Sequence, residues 1–155
     1  MATLVGTQKD LTGLLNALLE LDYDAIEAYR TAIDRLRDRN DRQHLKTFMA
    51  DHERHTRDLT PLVTELGGKP STGADVKQWL AKGKVFIAGL VGDRAILIAM
   101  KLNEDDTNTA YERAVSRDDL PSHIRVVLER NLSDEHRHRA YVEARLGIAR
   151  HAEAR

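Results

Sequence analysis

Four stretches of this chain repeat apolar residues at alternating intervals of three and four, and each repeat is interrupted near its middle by an acid or an imidazole. The first stripe runs Leu11, Leu15, Leu18, Asp22, Ala25, Tyr29, Ala32 and Leu36. The second runs Leu45, Phe48, His52, His55, Leu59, Leu62 and Leu66. A third places Glu104 between Leu97, Met100, Thr107, Tyr111 and Ala114, and a fourth places Glu135 and His138 among Ile124, Leu128, Asn131 and Val142. That spacing is one face of a helix. The predicted helices span about 11–39, 42–66, 94–115 and 120–150.

Local signals bound them. Asp10 is a candidate N-cap for the first helix and Asp93 for the third. "DRND" (38–41) supplies the first turn, Gly67-Gly68 stop the second helix, and Pro121 suits a first helical turn. Pro61 lies inside the second helix, where a kink on the outer side or a loosened last turn is expected. Residues 67–93 are too long for a tight hairpin and read as a crossover with a short helix of its own, pinned by Trp79 and Phe86. Met49 and Met100 read as core filler. The predicted class is all-α: an antiparallel four-helix bundle with one long crossover, one domain over 1–155.

Composition excludes several functions. The formal charge is −1, so nothing favours nucleic acid or an acidic membrane as partner. With no cysteine, disulfides and iron–sulfur clusters are ruled out. The most lipid-like stretch, "VFIAGLVGDRAILIAM", is split by Asp93 and Arg94, so no membrane span is expected. The start "MATLVGTQKD" lacks the features of a secretory signal, and a cytoplasmic location is expected. "LGGKPSTG" (66–73) lacks phosphate-loop spacing and a preceding strand.

Residues 51–55 read "DHERH" and residues 134–138 "DEHRH". Laying Asp22 on Glu104 also lays Tyr29 on Tyr111, at an offset of 82; laying Asp51 on Asp134 lays His55 on His138, at an offset of 83. The halves read as copies of one helical hairpin. In such a bundle Asp22, His52, His55, Glu104, Glu135 and His138 converge at mid-length. Burying three carboxylates unpaired costs several kcal/mol per ion, so protons on the histidines or bound metal must compensate.

Glu135-x-x-His138 with Glu104 and Tyr111, and the phrases "LLELDYDAIEAYRTAI", "DHERHTRDLTPLVTELGG" and "NEDDTNTAYERAV", resemble the ferritin-like superfamily. Within it they look like a bacterial ferritin-like group described as a domain of unknown function. The likeness covers most of residues 10–146. It implies a transition-metal centre, iron ahead of zinc or manganese, and oxidase- or peroxidase-type redox chemistry. Asp22, His52, His55, Glu104, Glu135 and His138 would be the ligands, with Glu135 shared between ions. The chain departs from the pattern where Asp22 replaces a Glu and His52 stands where a Glu would precede His55. A single ion at Glu104, Glu135 and His138, completed by His52 or His55, therefore stands beside a pair.

The alternative is a metal-free polar layer in a stress-associated binding or assembly protein. The partners considered are metal ions and a second copy of the chain, as a homo-oligomer such as a dimer. Nothing marks the contacts of a hollow storage cage. Asp51 and Asp134, with Glu53 and His136, flank the stripe and are expected to orient the ligand histidines. Tyr29 and Tyr111, two turns from the acids of their own helices, read chiefly as core tyrosines. Glu20, Asp24 and Glu27 read as a solvated face, with Glu27 the fallback ligand.

Overall fold

A computed structural model describes residues 3–73 and 86–148. It is all-α, with no strand among the described residues. Four long helices pack as a bundle: α1 (Leu11–Arg35), α2 (Arg39–Glu65), α3 (Asp93–Val115) and α4 (Ser122–Leu146). The apolar stripes account for this packing. Every stripe residue except Leu11 and Leu66 is buried.

The capping groups differ in part from expectation. Asp10 accepts from the Gly13 amide at 2.7 Å and starts α1 as predicted. The next turn falls at residues 36–38 instead of 38–41, because Leu36 is extended and Asp38 caps α2 through the Asp41 amide at 2.9 Å. Gly92 stands at the N-cap of α3, and Asp93 does not cap that helix. Its carboxylate instead accepts from the Arg37 and Asp38 amides at 2.9 and 2.8 Å, tying the end of the crossover to the α1–α2 turn. Pro121 sits at the N-cap of α4, one residue before its first turn. The α2 helix runs through the exposed Pro61 to Glu65, and Gly147 ends α4 at a φ of 71°.

The crossover leaves α2 along α1, where Asn16 accepts from the Ser71 amide and donates to the Lys69 carbonyl. Trp79 and most of the stretch predicted to form a short crossover helix fall outside the described residues. Phe86 does not pin the segment: it is 58% exposed, and its neighbour Ile87 enters the core.

Helix α1 packs on α2 and α3, and α4 packs on α3 and α2. Residue numbers rise along α1 as they fall along both neighbours, since Asp22 meets His52 and Tyr111 while Tyr29 meets Phe48 and Glu104. Two apolar clusters result. One end holds Leu14, Leu15, Leu18, Leu59, Ile124 and Leu128, and the other Ile33, Leu36, Leu45, Ile96, Met100 and Val142. The polar residues lie between them, sealed from water at both ends.

Candidate metal centre

The structure brings all six predicted residues together. Asp22 comes from α1, His52 and His55 from α2, Glu104 from α3, and Glu135 and His138 from α4; none has solvent exposure. They form two adjoining groups, Asp22/His52/His55/Glu135 and His52/Glu104/Glu135/His138, in each of which the donor atoms lie within 4.8 Å of one another. His52 and Glu135 belong to both.

The first group closes on itself. His52 Nδ1 and His55 Nδ1 approach Asp22 Oδ1 at 2.8 and 3.2 Å, and the Tyr111 hydroxyl donates to Asp22 Oδ2 at 2.6 Å. The second group does not. His52 Nε2, Glu104 Oε2, Glu135 Oε2 and His138 Nδ1 are buried without a hydrogen-bond partner among the described residues, and Glu135 Oε1 has His55 Nδ1 and His52 Nδ1 at 3.4 and 3.5 Å, both poorly placed for a hydrogen bond. His138 Nδ1 stands 3.8 Å from Glu104 Oε2 and 3.9 Å from Glu135 Oε2, too far for hydrogen bonds. Two donors about 2.1 Å from a shared ion stand roughly 3 to 4.2 Å apart, according to the angle between them.

The duplication written in the sequence reappears as reciprocal contacts. His55 Nε2 meets Asp134 Oδ2 at 3.1 Å, and His138 Nε2 meets Asp51 Oδ2 at 2.9 Å. Each aspartate thus holds the histidine of the other half, and Arg54 and Arg137 pair with Asp134 and Asp51 behind them. The tyrosines are crossed in the same way. Tyr111 donates to Asp22, and Tyr29 donates to Glu104 Oε1. Their reading as core packing is therefore incomplete. With an acid and a tyrosine seven residues apart on each of two opposed helices, a register that sets one crossed pair also sets the other, and that spacing was the available signal. Asn108 is a further residue not singled out: its amide donates to the Glu104 and Glu135 carbonyls at 2.7 and 3.0 Å, joining α3 to α4 at the centre.

Glu53 and His136 do not join the centre. Glu53 lines an outer groove with Tyr23, Ile26 and Glu27, while His136 pairs at the surface with Glu112 at 3.2 Å. Glu27 pairs with Arg30 there, leaving Asp22 as the α1 acid of the centre. Asp24 is half-buried, and burial followed by the nearby Glu20 raises it to about 6.

The buried groups of the centre pull one another's acidities in opposite directions. Burial works against ionising Asp22, but the imidazoles of His55 and His52 hold it below its ordinary value. Glu135 is lowered in the same way, against burial, chiefly by His52. Burial also opposes protonation of His55, but Asp22 and Asp134 overcome this and raise it to about 11. His52 is raised against burial by Glu135 and Asp22. Glu104 moves the opposite way, pushed up by burial and then by Glu135 toward its protonated form. Burial, the largest influence on His138, holds it low. These shifts favour charge on Asp22, Glu135, His52 and His55 and disfavour it on Glu104 and His138.

The fold and the centre define an all-α helical bundle whose buried acidic and imidazole groups could hold a metal ion. The family model described as Domain of unknown function (DUF2383) matches residues 10–117, and the chain belongs to that family. The match takes in α1, α2 and α3 and stops before α4, which carries Asp134, Glu135 and His138. No curated protein and no solved structure matches the chain. No helix among the described residues is long and apolar enough to cross a membrane.

Proposed function

We propose that this chain is a cytoplasmic ferritin-like protein, a one-crossover antiparallel bundle whose core binds one or two transition-metal ions. Asp22, His52, His55, Glu104, Glu135 and His138 are the proposed ligands. The observation that carries this reading is the set of unpartnered donor atoms on four zero-exposure residues from three helices. Native interiors rarely leave so many buried polar atoms unsatisfied in one place. Two carboxylates with two imidazoles suit iron or zinc, with manganese favoured less because it prefers oxygen.

Iron bound there would supply redox chemistry of the oxidase or peroxidase type. The chain's own residues prepare the centre. Tyr29 and Tyr111 orient the two carboxylates that receive their hydroxyls, Asp51 and Asp134 hold one nitrogen of each outer histidine, and the apolar ends exclude water.

The metal-free reading also has an observation in its favour, since Asp22 is fully satisfied by His52, His55 and Tyr111. One experiment separates the two. The purified protein is analysed for metals, loaded anaerobically with Fe(II) and then exposed to oxygen. Stoichiometric metal that a Glu135→Ala, His138→Ala double variant loses, with an absorbance change on oxidation, is the expected result. No bound metal, and a melting temperature unmoved by adding it, would leave a polar layer in a binding or assembly protein.

A further inference from the structure

We propose that the centre takes a single divalent ion per chain, held by His52, Glu104, Glu135 and His138, with Asp22 orienting His52 from outside and His55 taking no part in ligation. This rests on the metal-binding reading above and narrows it. The two groups of donors look equivalent in the sequence, because each contains an acid, a shared glutamate and histidines. Their hydrogen bonds make them unequal.

On the Asp22 side the donors of Asp22 and His55 are already used, and the shared Glu135 has its Oε1 3.4 Å from His55 Nδ1. Asp22 Oδ1 receives His52 and His55, and Oδ2 receives Tyr111. Both ring nitrogens of His55 face carboxylates, Asp22 at 3.2 Å and Asp134 at 3.1 Å. Both nitrogens of His55 are thus engaged, and freeing either for an ion would break a contact that His52 Nε2 does not have. On the Glu104 side the reverse holds. His138 spends Nε2 on Asp51 and leaves Nδ1 without a partner among the described residues; Glu104 spends Oε1 on Tyr29 and leaves Oε2.

His52 decides the matter. Its Nδ1 is anchored on Asp22 at 2.8 Å, and the nitrogen left over is Nε2. A carboxylate that holds one imidazole nitrogen fixes the tautomer and raises the basicity of the other, an arrangement usual behind metal-bound histidines. The two departures from the acid-rich pattern, Asp22 and His52, thereby act as a pair.

Glu104 and Glu135 supply two carboxylates to one divalent ion, while both oxygens of Asp22 are taken by His52, His55 and Tyr111. The packing around the outer histidines is unequal as well. Phe48 stacks on His138 with ring centroids 4.4 Å apart, and its counterpart in the duplication is Asn131, which donates to Tyr111 at 3.4 Å.

The test is titration of the metal-stripped full chain with Co(II) alone, followed by equilibrium dialysis and by visible absorption of the bound ion. One ion per chain is expected. Asp22→Asn should keep that stoichiometry with affinity weakened about 10–100-fold, the usual effect of losing a residue behind a ligand. His55→Gln should keep one ion, and His138→Gln should lose it. Circular dichroism and melting curves show whether each variant is folded, and the wild-type stoichiometry needs no variant at all. Two ions per chain in the wild type would overturn the inference alone. So would a folded His55→Gln that loses Co(II) as fully as His138→Gln. Failure of the wild type to bind any ion would remove the wider metal-binding reading with it.

Discussion

Replacing each tyrosine hydroxyl by hydrogen should have unequal costs, although the two tyrosines are counterparts in a duplicated hairpin. Tyr111 donates to Asp22, which its imidazole neighbours keep ionised, at 2.6 Å. Hydrogen bonds to charged groups contribute about 1.5–3 kcal/mol, so Tyr111→Phe should destabilise the metal-free protein by about that much. Tyr29 donates to Glu104, which burial drives toward its protonated form, so Tyr29→Phe should cost the neutral-pair value of about 0.5–1.5 kcal/mol. For a chain of this size about 1 kcal/mol moves the melting temperature by about 2–4 °C. The expected losses are therefore about 3–12 °C for Tyr111→Phe and about 1–6 °C for Tyr29→Phe. Urea unfolding in EDTA measures both. Bound metal requires Glu104 to ionise, so repeating the measurement with Co(II) should raise the cost of Tyr29→Phe by about 1 kcal/mol and leave that of Tyr111→Phe unchanged. A larger cost for Tyr29→Phe than for Tyr111→Phe in EDTA would refute the charge assignment.

Other outcomes are equally checkable. His55, raised from 6.5 to about 11, contributes stability that is complete below 6.5 and is lost as pH climbs toward 11. Asp134, lowered from 3.8 to about 2, contributes stability that is present above 3.8 and lost as pH falls through 2; the depressed His138 acts in the same sense below 6.5. The urea midpoint of metal-free protein should therefore fall toward both extremes, above pH 6.5 as His55 and the raised Glu104 lose their protons and below pH 3.8 as Asp134 gains one. Asp51→Asn removes the carboxylate behind His138 and should weaken Co(II) binding about 10–100-fold in a competition titration. Asp93→Ala strips the acceptor from two exposed backbone amides; with water as substitute it should cost about 1 kcal/mol, read as a melting shift of about 2–4 °C.

What could be read in the sequence was whatever one helix determines by itself. Asp22, His52, Glu104, Glu135 and His138 fall on the apolar stripe of their own helix, so their burial followed from periodicity. Contacts between helices were harder. The Tyr29–Glu104 and Tyr111–Asp22 bonds depend on how α1 slides against α3, and apolar spacing leaves that register open. Asp51 and Asp134 were legible as flanking groups, but their crossed pairing with His138 and His55 needed α2 and α4 face to face. Asp93 looked like a cap because caps are local signals, whereas its partners are 55 and 56 residues away in the first turn. The α1–α2 turn was misplaced because Leu36 continues the stripe but leaves the helical conformation: its side chain stays buried while its backbone turns extended.

Metal binding by this bundle depends on the buried donors of Glu104, Glu135, His52 and His138 being arranged around a cation. An anomalous-difference map from crystals grown with Co(II) and measured at the metal edge tests this most directly. The expected result is one peak about 2.0–2.2 Å from a donor atom of each of those four residues. A core without a peak, with Glu104 and Glu135 hydrogen-bonded to their neighbours instead, would contradict it.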